Sequence, residues 1–175
     1  MTERALVAVT VVGNDRPGIV AGVTRVLYEA GCNLLDASST LLHGHFSMML
    51  IVLVPEGRSP EELETRLGPV EEELQLRITV RSVREAAAPV EPPTHMVSVY
   101  GADQPGIVFK VTELLAENGI NITALSSRVI GSDEEPVYAL ILEVAAESDL
   151  VPQVEALRHR LDMDVSVHPI DSSVL

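Results

Sequence analysis

Residues 13–39 read GNDRPGIVAGVTRVLYEAGCNLLDASS, and residues 101–127 read GADQPGIVFKVTELLAENGINITALSS. The two stretches lie 88 positions apart and agree at 14 of 27 positions without a gap. Chance does not produce such agreement, so the chain is an internal duplication. The match continues more faintly downstream. Leu63, Leu67, Val70 and Leu74 are spaced by 4, 3 and 4, and so are Leu150, Val154, Leu157 and Leu161, at an offset of 87. Ile78 and Val80 correspond to Val165 and Val167 at the same offset. Two copies are too few for a solenoid, so each copy is read as a small domain. Between them, Glu85-Ala-Ala-Ala-Pro-Val-Glu-Pro-Pro-Thr94 carries three prolines among small residues, the mark of an extended, semi-rigid linker. The expected division is domain one over 1–85, a linker over 86–94 with the boundary near Pro89, and domain two over 95–175.

One copy can be read element by element. Ala5 to Val12 is a short apolar run bounded by Gly13, which suits a buried strand. Asp15 reads as a helix N-cap and Pro17 as a first-turn residue that needs no N–H. Ile19, Val20, Val23, Val26 and Leu27 recur at helical spacing, and Gly31 ends that helix as its C′ residue. Asn33 to Leu42 and Phe46 to Val54 read as a hairpin turning at His43-Gly44. Ser59-Pro60-Glu61-Glu62 reads as a capping box, and Gly68-Pro69 predicts a kink or break in the helix it opens. Arg77 to Val83 alternates polar and apolar residues, as a half-exposed strand does. The second copy repeats the pattern over Met96–Tyr100, Pro105–Asn118, Asn121–Ile130, Val137–Val144, Leu150–Leu161 and Met163–His168. The order β-α-β-β-α-β predicts the α+β class: two ferredoxin-like domains in tandem, each an antiparallel sheet with both helices on one face. The bare sheet face and edges need cover, which allows a homodimer.

Composition narrows the function. Hydrophobic residues make up 46% and charged residues 22%, as in an ordinary globular chain. With no Trp, two Phe and three Tyr, the core must be Val, Leu, Ile, Ala and Met. Lys and Arg number 12 against 26 acids, a net charge of −14. A nucleic-acid-binding face needs a surplus of cations, so direct DNA or RNA contact is not expected, and anionic membranes repel such a chain. The longest apolar run, Met48 to Val54, is strand length, and residues 1–20 are broken by Arg4 and Asn14-Asp15-Arg16, unlike a signal peptide. A cytoplasmic protein without membrane contact is the expectation. Cys32 is the single cysteine, and Ile120 occupies its place in copy two, which suggests buried packing. His43-Gly44-His45 looks like a chelating pair, but copy two has Gly131-Ser132-Asp133-Glu134-Glu135 there, so no metal is expected. Glu71-Glu72-Glu73 reads as a solvated helix face. No nucleophile-base pair, P-loop or dinucleotide fingerprint occurs. Neither catalysis nor a cofactor is expected.

Asp-x-Pro-Gly-Ile-Val, at Asp15–Val20 and again at Asp103–Val108, precedes a helix, a Gly-x-Asn and a strand carrying Ser-Ser. That combination resembles the ACT-domain signature. Two such domains and nothing else are similar to the glycine cleavage system transcriptional repressor family. The resemblance implies amino-acid control, paired domains and action through a protein partner such as a transcription factor. It also implies a ligand site where this loop faces the start of strand two of a neighbouring domain: Asn14 to Ile19 with Asn121-Ile122, and Ala102 to Ile107 with Asn33-Leu34.

Physical chemistry gives these residues matching roles. A strand-loop-helix junction exposes backbone N–H groups at the positive end of a helix, so Gly18, Ile19, Gly106 and Ile107 can donate to a carboxylate. Asn14, Asp15 and Asp103 can accept from an α-ammonium group, and Asn33 and Asn121 offer both donors and acceptors. Pro17 and Gln104 complete the loops. Plainer readings stand beside these: Asp15 and Asp103 as caps, Asn33 and Asn121 as left-handed or turn residues after a helix-ending glycine. Ala102 stands where copy one has Asn14, which predicts unequal sites. Small residues near the loop favour glycine or serine as ligand. The competing function is an interaction module that keeps the fold but binds no amino acid.

Overall fold

The computed structural model of the chain describes residues 5–84, 91–132, 136–147 and 150–170. Pro89, at the centre of the expected linker, and Asp133-Glu134-Glu135 lie outside the described residues. The chain divides into two compact units, Met1–Ala87 and Ala88–Leu175. The first contains β1 (Leu6–Asn14), α1 (Ile19–Glu29), β2 (Asn33–Leu42), β3 (His45–Leu53), α2 (Pro60–Leu74) and β4 (Leu76–Ser82). The second contains β5 (His95–Gly101), α3 (Ile107–Glu117), β6 (Asn121–Gly131), β7 (Pro136–Ala145), α4 (Val151–Leu161) and β8 (Asp164–Pro169). The two antiparallel sheets have the orders β2-β3-β1-β4 and β6-β7-β5-β8. This is the split βαβ arrangement expected of the sequence.

Alternation along the central strands builds each core. Val7, Val9 and Val11 of β1 stand level with Val52, Leu50 and Met48 of β3, and all six are buried. Ile19, Val23 and Leu27 of α1 and Leu63 and Leu67 of α2 close over them. The second unit repeats this with Val97, Val99, Leu140 and Leu142 under Ile107, Val111, Leu115, Val154 and Leu157. The buried residues of both cores are aliphatic or Met, and aromatic rings enter only at the margin, where Phe46 and Tyr138 pack partly buried against them.

Local differences from expectation have physical causes. Val20, included in the buried stripe of α1, is 48% exposed. The stripe is narrower than the sequence suggested, one residue per turn at Ile19, Val23 and Leu27. Helix α2 passes through Gly68 and Pro69 without a break, with Pro69 exposed. Leu63 and Leu67 before the proline and Val70 and Leu74 after it all pack on the same core, and tertiary packing holds the helix together. Ser59 caps α2 as expected, its Oγ accepting from the Glu62 N–H at 3.2 Å. The Glu62 carboxylate reaches Arg58 and Arg66 instead of returning to the cap. Strand β2 is exposed along its whole length, and β6 at every residue except Ile122.

Candidate functional site

The β1–α1 loop and its copy carry the expected chemistry. Gly18 is the N-cap of α1 with φ 99 and ψ −10, and Gly106 caps α3 with φ 89 and ψ 6. No side chain caps either helix. This corrects the reading of Asp15 and Asp103 as caps. The capping position falls three residues later, on a glycine in left-handed backbone, and a side chain caps only from the residue just before the first helical one. A Cβ on Gly18 would meet no atom within 4 Å, so the backbone angle, not space, demands glycine there. The Gly22 N–H is bonded to the Gly18 carbonyl at 2.8 Å, and the Lys110 N–H to Gly106 at 3.0 Å. The N–H groups upstream of each bond lie at the helix end that favours an anion. Asn14, Asp15, Pro17, Gly18, Ala102, Asp103 and Gly106 are exposed on these loops. The side chains of Ile19 and Ile107 are only 2% exposed, so these residues offer backbone groups alone. Gln104 is turned towards its own unit: its Nε2 donates to the Leu161 carbonyl at 3.1 Å.

The start of the second strand is set by the end of the first helix. The Gly31 N–H bonds Tyr28 at 2.9 Å and the Cys32 N–H bonds Leu27 at 3.0 Å. Gly119 and Ile120 repeat these bonds to Ala116 and Leu115 at 3.0 and 2.9 Å. This double closure needs a left-handed residue at C′, supplied by Gly31 (φ 74) and Gly119 (φ 70), then an apolar residue folded back on the helix. Cys32 and Ile120 are those apolar residues. Burial pushes the Cys32 thiol up against the pull of Arg58 and Arg66. Asn33 and Asn121 therefore open β2 and β6 in extended conformation, not as the left-handed or turn residues that the sequence left open. Each is exposed and borders a hollow. The one at Asn33 measures about 260 Å³ between Gly31, Leu53 and Pro55; the one at Asn121 about 500 Å³ between Phe109, Glu113 and Ile122.

Neither unit brings its own loop and its own asparagine together. Asn14 stands level with His45, at one end of the sheet, while Asn33 and Leu6 stand level with Leu53, at the other. The nine residues of β1 separate them by roughly 26 Å at the usual rise per strand residue. The same holds for Gly101 level with Tyr138 and Asn121 level with Ala145. Sequence reasoning missed what holds each loop. The Asp15 N–H donates to the Gly44 carbonyl at 2.9 Å, and Arg16 reaches Gln75 at the end of α2. The available signal was a glycine repeated at 13 and 101, directly before each loop.

Residues 5–81 and residues 95–159 each match an ACT domain. The chain is a tandem ACT-domain protein. Its ACT pair is similar to the glycine cleavage system transcriptional repressor of Escherichia coli K12, at 28% identity over 148 residues, 85% of this chain and 77% of the relative. A protein of unknown function from Galdieria sulphuraria shares the fold with a TM-score of 0.79 at 23% identity, covering 97% of this chain and all of that one. The structure of a candidate glycine cleavage system transcriptional repressor does so with a TM-score of 0.72 at 24% identity, covering 97% and 99%. Among the described residues of the ACT pair, no three His, Cys, Asp or Glu side chains group as metal ligands, and no helix is long and apolar enough to cross a membrane.

Proposed function

We propose that this protein is a non-enzymatic cytoplasmic regulator that senses a small amino acid, glycine or serine first, and acts through a protein partner such as a transcription factor without touching DNA. One observation carries the reading. In both units a glycine in left-handed backbone opens a helix whose first N–H groups have no side-chain cap and lie beside exposed polar residues. A Ser, Thr, Asp or Asn cap would satisfy one of these N–H groups itself, whereas glycine, which the left-handed backbone requires here, brings no side chain to do so. An uncapped end suits a ligand carboxylate, held by the Gly18–Ile19 or Gly106–Ile107 amides. Asn14, Asp15 and Asp103 take the ammonium group, and Asn33 or Asn121 of a neighbouring ACT unit completes the site, since the two halves lie at opposite ends of each sheet. The loop with Ala102 in place of Asn14 has one acceptor fewer and binds more weakly. Ligand that bridges units favours one packing of them over another, which is how binding alters the surface a partner meets. The exposed edge strands β2 and β6 also suit a homodimer.

A thermal-shift screen against the twenty amino acids, followed by calorimetry, tests this. Ligand at a hundredfold excess over its dissociation constant adds about 2.7 kcal/mol. That corresponds to a rise of roughly 2–4 °C per kcal/mol in a chain of this size. A selective shift lost in Asn14→Ala or Asn121→Ala supports the sensor. No shift at millimolar concentration leaves the fold as an interaction module, the competing reading.

A further inference from the structure

Each β1–α1 loop is braced at the same corner of its unit, where the second helix turns into the last strand. Gly13 of β1 stands level with Leu76, and a Cβ added to it would lie 2.6 Å from Leu76 Cδ2 and 3.3 Å from the Gln75 carbonyl oxygen. A Cβ on Gly101 would lie 2.9 Å from Met163 Cγ. Leu76 and Met163 are only 6% and 7% exposed, so both are anchored in their cores. Each follows a helix-ending residue in left-handed backbone: Gln75 at φ 52, ψ 46, and Asp162 at φ 53, ψ 44.

Three residues after each glycine, a side chain crosses to that corner. Arg16 Nη2 donates to Gln75 Oε1 at 3.3 Å, and Gln104 Nε2 donates to the Leu161 carbonyl at 3.1 Å. Arg16 and Gln104 occupy the same position of the duplicated segment. They differ in residue, charge and acceptor, yet both tie the loop to the end of the second helix. The two copies thus give the same arrangement by independent chemistry. Glutamine is also an uncommon residue for left-handed backbone, and Gln75 is in use there as an acceptor.

We infer that Arg16 and Gln104 are positioning residues: through the corner at Gln75-Leu76 or Leu161-Met163, they set where the loop amides Gly18–Ile19 and Gly106–Ile107 lie. The purpose of this brace rests on the amino-acid site proposed above; its geometry does not. The segment between Asn14 and Ile19 is four residues long. Packing holds it at Gly13, the Asp15 N–H holds it at Gly44, and the side chain of Arg16 is the last hold before Pro17-Gly18. Two N–H groups converge on one carboxylate only if that stretch is held still. Gln104 therefore acts on a ligand through the loop, not by contact.

The test uses the full chain labelled with ¹⁵N, in three forms: wild type, Gln104→Glu and Gln104→Arg. Glutamate keeps the shape and loses the donor; arginine restores a donor, as copy one uses. In Gln104→Glu the Gly106 and Ile107 amide resonances should move, and the Lys110 amide should exchange about fivefold faster, the usual worth of one such hydrogen bond. The melting temperature should change little, and Gln104→Arg should return both signals towards wild type. Calorimetry with glycine and serine should show the same fivefold weakening and recovery. Loop resonances unmoved in Gln104→Glu, or Gln104→Arg behaving like Gln104→Glu, overturn the inference. Weaker binding without any movement of the loop amides also overturns it, because Gln104 would then be a direct contact. If neither amino acid binds wild type, the sensor reading fails while the amide signals still decide the positioning role.

Discussion

Two pairs of glycines in this protein serve different physical needs, and single substitutions separate them. At Gly18 there is room for a side chain but the backbone lies at φ 99. Gly18→Ala should cost about 1–2 kcal/mol from left-handed backbone alone, and Gly18→Asn should recover part of it, since asparagine tolerates that region. At Gly13 the constraint is space, because an added methyl group meets Leu76 at 2.6 Å. Gly13→Ala should cost about 1–3 kcal/mol, as overpacking does, and Leu76→Val should offset part of that cost while leaving Gly18→Ala unrelieved. Urea unfolding of the singles and doubles measures both. The sequence showed that these glycines matter, because all of them recur in the second copy. It could not separate the two causes, since backbone angle and neighbour distance are both properties of the folded chain. The Asp15 cap was misread for the same reason: Ser, Thr, Asp and Asn are favoured caps, but an alternative entry through a left-handed glycine leaves no mark beyond the glycine itself.

Helix α2 shows how an element answers to both local and tertiary forces. Ser59 at its N-cap was legible from its spacing to Glu62, and Ser59→Ala should cost about 1 kcal/mol. Glu61, in the first turn, has its carboxyl held below the ordinary range, first by its own backbone N–H and then by the Ser59 hydroxyl. A carboxyl that binds its proton less readily when folded adds stability at neutral pH and loses it as pH falls through its lowered folded value. Glu61→Gln should therefore be less stable than wild type at pH 7 and equal to it in strong acid, which acid titration of the unfolding midpoint checks. Pro69 tests the tertiary side. The helix keeps its course through the proline at the expense of one backbone hydrogen bond. Pro69→Ala, at an exposed position, should raise stability by about 1–3 kcal/mol in thermal or urea unfolding.

At the scale of the whole molecule, charge and exposed edges set what the protein meets. The net charge of −14 predicts that fluorescence titration with duplex DNA at physiological salt detects no complex, and that lowering the salt does not create one. Binding that strengthens as salt falls would show a cationic face that the composition gives no reason to expect. The apolar exposure is concentrated on β2, where Leu34, Leu35, Leu41 and Leu42 all face solvent, and on β6, where Leu125, Val129 and Ile130 do. From sequence these strands read as ordinary members of a hairpin. Their exposure, complete in β2 and broken only at Ile122 in β6, follows from sheet order, which puts them at the edge and beyond the cover of the helices.

The amino-acid sequence by itself determined the duplication, the β-α-β-β-α-β order, the aliphatic core and the position of the Pro-Gly loops. Those are written in repeats, periodicity and turn chemistry, which are local and survive in one dimension. Tertiary structure alone decided that Gly18 and not Asp15 caps the helix, that Gln104 faces the Leu161 carbonyl, and that Asn14 and Asn33 lie at opposite ends of one sheet. Each of these depends on strand register or on a contact between residues far apart in the chain. Such relations arise only when the chain pays the entropy of closing its long loops.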